Sequence, residues 1–186
     1  MNKVADTGFW ISNNDNEHRF VPELSKAIND YVVNNNIKTV YDFGCGRGEY
    51  LEQLGNLDPT LQLTGFEGHQ TDGVFNNIVK KDLSTNLELN EVDMVMSIEV
   101  GEHIPKEFEQ VFIDNISNHA KSHIFLSWAI VGQSGLGHIN CQNNDYIIKQ
   151  FVDRGWKLEQ ELSNQIRSSM PSNIWLKNTV MVFTKA

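Results

Sequence analysis

Val40-Tyr41-Asp42-Phe43-Gly44-Cys45-Gly46-Arg47-Gly48-Glu49-Tyr50 decides how this chain is read. Ile37 to Phe43 has the β-branched and aromatic content of a strand, and glycines stop it. Glu49 to Leu54 then starts a helix. Glycines at 44, 46 and 48 let the backbone turn tightly and approach a ligand without Cβ interference. The spacing is informative. A dinucleotide fingerprint needs G-x-G-x-x-G at a helix N-terminus that receives pyrophosphate. Here the third glycine comes one residue early and Glu49 follows it, where a carboxylate would repel pyrophosphate. Asp42, at the strand end, suits a ligand carrying an ammonium and a sulfonium better than a phosphate.

Outward from this loop, strand and helix signals alternate. Leu24, Ala27, Ile28 and Tyr31 mark a helix over Glu23 to Val33. Leu61 to Glu67 and Asn77 to Lys80 read as the next strands. Val92 to Ile98 is a continuous apolar run, as expected for a strand buried on both faces. Lys106 to Asn118 reads as a helix, Ser122 to Trp128 as a strand, and Asn144 to Arg154 as a helix closed by Gly155. Trp156 to Leu162 and Asn173 to Thr184 read as a final antiparallel strand pair. The pattern predicts an α/β protein: a single-domain three-layer αβα sandwich on a seven-stranded, mostly parallel sheet. Residues 1–36 form an N-terminal lid or helix segment, and 37–186 a Rossmann-like core. Ligands in such sheets bind at the carboxyl ends of the strands, near the topological switch point.

Composition narrows the rest. The 186 residues suit one domain, whose core can bury roughly 70% of the unfolded surface. With 24 acidic against 15 basic side chains the net charge is -9, which argues against duplex nucleic acid or an anionic membrane as partner. Two cysteines are too few for a disulfide framework and suit a reducing, cytoplasmic setting. The first residues carry no apolar signal segment, and no run of 18 apolar residues occurs, so no membrane span is expected. A monomer or homodimer is expected.

With Asp42, Gly44, Gly46 and Gly48 in an acid-x-G-x-G-x-G loop, the chain resembles the class I S-adenosylmethionine-dependent methyltransferases. The resemblance spans essentially the whole chain. It implies S-adenosyl-L-methionine as cofactor. Glu67, 19 residues after Gly48, stands where the family takes both ribose hydroxyls. Two adjacent hydroxyl donors match a two-oxygen acceptor. Asp82 stands where the family often contacts the adenine amino group. The implied cofactor pocket also includes Cys45, Gly68, Leu83, Ile98 and Glu99.

After the fourth strand comes Glu99-Val100-Gly101-Glu102-His103-Ile104-Pro105, a sequence common in this superfamily. Two carboxylates and an imidazole make a divalent site of hard-to-borderline character. In ubiquinone-pathway O-methyltransferases and small-RNA 2′-O-methyltransferases the matching positions bind a divalent ion. The resemblance thus implies metal ligands at Glu99, Glu102 and His103, with His138 as the further histidine of the RNA enzymes. The alternatives are substrate contact or acid/base work by Glu99 and His103, and capping of the next helix.

The loop after the fifth strand holds three glycines, at 132, 135 and 137. Gln133, His138 and Asn140 are candidates for holding the acceptor, and His138 for a general base. Trp10, His18, Arg19 and Phe20 precede the first strand; Trp10 and His18 are acceptor candidates, and Phe20 a core residue. Arg167 and Trp175 are further candidates on the acceptor side.

The expected reaction is methyl transfer to a small-molecule or glycan-like acceptor, at oxygen. The alternatives are metal-assisted methylation of an RNA 2′-hydroxyl and a cofactor-binding module without catalysis. Exocyclic-amine DNA methylation is disfavoured by Ile98-Glu99-Val100-Gly101 in place of an Asx/Ser-Pro-Pro-aromatic motif, and cytosine-C5 methylation by the lack of a Pro-Cys pair. A nicotinamide oxidoreductase is disfavoured by the glycine spacing and the lack of a Tyr-x-x-x-Lys pair.

Overall fold

The structure is a computed structural model in which residues 4–9, 11, 19–69, 73–172 and 174–186 are described. Helix α1 (Pro22–Asn34) leads into β1 (Thr39–Phe43), α2 (Glu49–Leu57), β2 (Gln62–Glu67), β3 (Ile78–Lys80) and β4 (Val92–Ile98). Then follow α3 (Glu109–His119), β5 (Ala120–Ser127), α4 (Asn144–Val152), β6 (Trp156–Leu158), α5 (Gln160–Ser169) and β7 (Met181–Lys185). The seven strands lie in the order β3-β2-β1-β4-β5-β7-β6. The first five are parallel, and β7 runs antiparallel between β5 and β6. This matches the expected sandwich.

Alternate side chains feed two cores. Val40, Met94, Met96, Phe125 and Val182 pack beneath α1, α2 and α5, with Leu24, Ile28, Leu51, Leu54 and Ile166. Phe43, Val95, Ile124, Leu126 and Phe183 face α3 and α4, meeting Phe112, Ile116, Ile147 and Phe151. Burial on both faces is why β4 reads as an unbroken apolar run. The strand order reverses between β1 and β4, so the carboxyl ends of these two strands open a crevice there.

Two sequence expectations need correction. The strand expected over Trp156 to Leu162 ends at Leu158, and Gln160 to Ser169 is helical. The strand expected over Asn173 to Thr184 begins only at Met181, after a 3-10 turn at Trp175–Asn178. The buried face of α5 consists of Ser163 and Ile166, so a polar residue sits where periodicity requires an apolar one. Ser163 is satisfied there: its hydroxyl donates to Glu159 O at 2.8 Å and accepts from Val182 N at 3.0 Å. Among the described residues, no helix is long and apolar enough to cross a membrane.

Candidate functional site

The glycine loop is tied to the neighbouring strand. Gly44 N and Cys45 N both donate to Phe66 O, at 2.8 and 3.1 Å. Gly44 has φ +80°, and a Cβ there would stand 2.4 Å from Val100 Cγ2. Gly48, at φ +79°, caps α2, and a Cβ there would meet Phe75 at 2.5 Å. These glycines answer to backbone hand and close approach.

The loop opens on a cavity of about 360 Å³. Asp42, Gly44, Cys45, Glu67, Gly68, Asp82, Leu83, Ile98 and Glu99 line it. Of the expected cofactor residues, Gly46 and Gly48 are not in the lining; they shape the loop, and Gly46 N donates to Glu67 Oε2 at 2.9 Å. Glu67 Oε1 accepts from Gly68 N at 2.8 Å. Both oxygens of Glu67 are thus aimed by backbone donors, and each retains acceptor capacity towards the cavity.

Asp42 is different. It is 2% exposed, and none of the described residues hydrogen-bonds its carboxylate. Burial, reinforced by the charge of Glu67, pushes its pKa up to about 8. Burial, then Asp42 and Glu67, also push the Cys45 thiol up, so that thiol stays protonated and is no nucleophile.

Asp82 lines the cavity but is engaged. Its Oδ2 accepts from Thr7 Oγ1 at 2.9 Å, and its Oδ1 from Ser84 N and Oγ at 3.0 and 2.7 Å. Thr7, Gly8 and Phe9 lie against the cavity, which sequence reading missed. Gly8 and Gly68 carry the signal. A Cβ on Gly8 would stand 2.2 Å from His103 O, and one on Gly68 2.3 Å from Phe9 Cβ. Trp10 and His18 lie outside the described residues.

On the other side of the switch point, Glu99 ends β4 with φ +56°, strained for a residue with a side chain. Its N–H donates to Ser127 Oγ at 2.9 Å, Gln133 Nε2 donates to its Oε2 at 2.9 Å, and Thr179 Oγ1 to its Oε1 at 3.4 Å. Burial raises its pKa, opposed by Ser127, Gln133 and His138. Gln133, expected to hold the acceptor, lines the cavity with its amide spent on Glu99.

Glu102 is fully buried, and neither carboxylate oxygen has a hydrogen-bond partner among the described residues. Burial and then the charge of Glu99 push its pKa well above the usual range. His138 Nε2 stands 4.0 Å from Glu102 Oε1, and the His103 and His138 rings meet edge-on at 5.0 Å. His103 Nδ1 bonds Gly137 O at 3.1 Å and His138 Nδ1 bonds Gln133 O at 3.2 Å. A carbonyl can only accept, so each Nδ1 donates to its carbonyl, which leaves Nε2 as the atom nearer the acid. One ligand atom from each of Glu102, His103 and His138 lies within 4.8 Å of the others. The structure thus brings three of the four expected metal positions together around a fully buried carboxylate. Glu99 stands beside them as the neighbour that raises Glu102.

Asn140 departs from expectation. It is 3% exposed and absent from the cavity wall. Its Nδ2 donates to Glu109 Oε2 at 2.9 Å, its carbonyl accepts from Trp128 Nε1 at 2.7 Å, and its N–H donates to Glu102 O at 2.9 Å. Burial works against the charge of Glu109, but Lys106, Tyr146 and Asn140 together hold its pKa below the usual value. Asn140 is therefore the anchor of the 132–139 loop. Asn140→Ala leaves Glu109 one donor short, a loss of about 1–3 kcal/mol. We expect a lower Tm and faster amide exchange across residues 132–139, with S-adenosylhomocysteine affinity within threefold of the parent. Unchanged exchange in that loop would refute the anchoring role.

Arg167 does not reach the cavity; its Nε donates to Val180 O at 2.7 Å. Trp175 does line it, with Arg19 over its ring. Phe20 is half-buried against Tyr50 rather than in the core.

No protein-family model matches the sequence, and neither does any curated protein. Solved structures do match. The methyltransferase domain of bacterial CtHen1-C superposes with TM-score 0.64 at 16% identity, covering 88% of this chain and 97% of that one. DesVI of Streptomyces venezuelae gives 0.64 at 12% identity, over 87% and 90%. The magnesium protoporphyrin IX methyltransferase of Synechocystis PCC 6803 gives 0.63 at 15% identity, over 88% and 79%. Identities this low speak for the fold. With the glycine loop, strand order and crevice already in place, the chain has the Rossmann-like fold of the class I S-adenosylmethionine-dependent methyltransferases.

Proposed function

We propose that this protein binds S-adenosyl-L-methionine and transfers its methyl group to a hydroxyl of a small-molecule or glycan-like acceptor. The observation that carries the reading is Asp42: a buried carboxylate on a cavity wall with no donor among the described residues. Such a group is costly unless a cation meets it. Glu67 adds two aimed oxygens suited to a pair of hydroxyls. The Synechocystis enzyme was solved with bound SAM, and the O-methyltransferase of a Brevibacillus brevis polyketide multienzyme with S-adenosyl-L-homocysteine.

The cofactor supplies an electrophilic methyl on a sulfonium. The chain's own residues orient the partners and keep water out. Asp42 and Glu67 hold polar groups over β1 and β2, while His103 and His138 stand on the acceptor side. In the transfer the acceptor oxygen forms the new O–C bond as the C–S bond breaks, and the hydroxyl proton leaves to a base. A neutral imidazole Nε2 of His103 or His138 is suited to take it.

Calorimetry tests the cofactor. We expect S-adenosylhomocysteine to bind with micromolar Kd, about 8 kcal/mol, and NADH not to bind. Binding of NADH alone would overturn the proposal. Incubation with methyl-labelled cofactor and fractionated hydroxyl compounds separates an enzyme from a binding module: labelled product supports turnover.

A second reading rests on Glu102. Its buried carboxylate, with ligand atoms of two imidazoles within 4.8 Å, fits a divalent ion held by Glu102, His103 and His138 with Glu99 at hand. Such an ion would supply Lewis-acid lowering of a hydroxyl pKa. That arrangement suits a vicinal diol, the group an RNA 3′ end or a catechol presents.

A further inference from the structure

The two sides of the cavity differ in charge. Over β1, β2 and β3 it carries four carboxyl groups, Asp42, Glu49, Glu67 and Asp82, against one arginine, Arg47. Over β5 and β7 it carries Trp175 and Leu136, with Arg19 stacked on the indole, its guanidinium carbon 5.6 Å from the ring centroid. None of the described residues pairs a carboxylate with Arg19. In a chain of net charge -9, with five carboxyl side chains in this cavity wall, an exposed arginine that none of the described carboxylates pairs is informative.

Arg19 is also positioned. Two residues on, Val21 N donates to Tyr50 Oη at 3.3 Å. Between them, the Phe20 ring stands 5.2 Å from that of Tyr50. Tyr50 itself lines the cavity, so the segment leading into α1 is tied to the cavity wall just beside Arg19. Arg19 is exposed, and a guanidinium held against an aromatic face presents a planar fork of donors, which matches a carboxylate or phosphate.

The geometry points to a subsite for the anionic group of a planar acceptor, on the assumption that the methyltransferase reading holds. Arg19 takes a carboxylate or phosphate, and Trp175 with Leu136 carries the apolar body. The acceptor hydroxyl then faces the Glu99, His103 and His138 side of the same cavity. A neutral or cationic acceptor would gain nothing from Arg19.

The test uses the full chain saturated with S-adenosylhomocysteine, titrated by calorimetry with 4-hydroxybenzoate, phenyl phosphate and 4-hydroxybenzamide. At least one of the two anions should bind about tenfold or more tighter than the amide, the scale of a charge-assisted hydrogen bond. Which of them does so distinguishes a carboxylate from a phosphate source. Arg19→Gln should bring that anion to the level of the amide, with S-adenosylhomocysteine affinity unchanged. Arg19→Lys should fall between the parent and Arg19→Gln, because the charge remains while the planar fork is lost. The inference is overturned if neither anion binds, if the amide binds equally, or if Arg19→Gln changes nothing while S-adenosylhomocysteine still binds. Failure of S-adenosylhomocysteine to bind the parent would instead fell the methyltransferase reading.

Discussion

Asp42→Asn should weaken S-adenosylhomocysteine binding by about a hundredfold and abolish most of its pH dependence. The side chain keeps its shape, so the change isolates the charge. Removing one partner of a buried charge-assisted contact costs about 1.5–3 kcal/mol, or about ten- to a hundredfold. The upper end is expected here because no other described group meets Asp42. Burial and Glu67 raise its pKa from 3.8 to about 8. Below about pH 8 the free protein holds Asp42 protonated, and a cationic ligand must displace that proton. Affinity of the parent should therefore rise with pH, by up to tenfold per unit, and level off above about pH 8. The asparagine variant should be flat.

Stability moves the other way. Between the unfolded value of 3.8 and about 8, the unfolded chain has lost the proton and the folded chain keeps it. The contribution of Asp42 to stability thus falls as pH rises across that window. Calorimetry at pH 6, 7 and 8, with thermal melts alongside, reads both effects. A variant that binds as tightly as the parent would remove Asp42 from the cofactor site.

The second large effect is expected at Glu102. In chelator, Glu102→Gln should raise Tm by roughly 3–8 °C. The substitution removes a buried acid next to Glu99 and gives Glu99 an amide donor instead, worth about 1–2 kcal/mol. With manganese at about a hundred times its Kd, the parent should gain about 2.7 kcal/mol from ligand linkage, a rise of several degrees. The glutamine variant should not respond, since a carboxylate oxygen is the ligand that the two imidazoles need. If manganese leaves the parent's Tm unmoved, the metal reading fails. The buried acid would then stand as a destabilising feature that the glutamine relieves.

Much of this was legible along the chain, for identifiable reasons. Asp42 and the glycines are local features, since a tight turn after a strand depends on consecutive residues. Glu67 was legible because strand β2 ends where its apolar run ends. Helix α5 was hidden because Ser163 occupies its buried face, and only the partners Glu159 and Val182 make that tolerable. Asn140 was misassigned because a polar loop residue looks the same in sequence whether it faces a ligand or a buried Glu109.

The sequence by itself thus determined the αβα order, the strand ends and the acid-glycine loop, all governed by periodicity and backbone sterics over short stretches. Tertiary structure alone decided which polar groups are satisfied. It spent Gln133 on Glu99, Thr7 on Asp82 and Asn140 on Glu109, and among the described residues it left the Glu102 oxygens without hydrogen-bond partners. It also brought Arg19 onto Trp175, 156 residues away. Hydrogen bonding and desolvation act between atoms close in space, and the sequence orders those atoms along one dimension only.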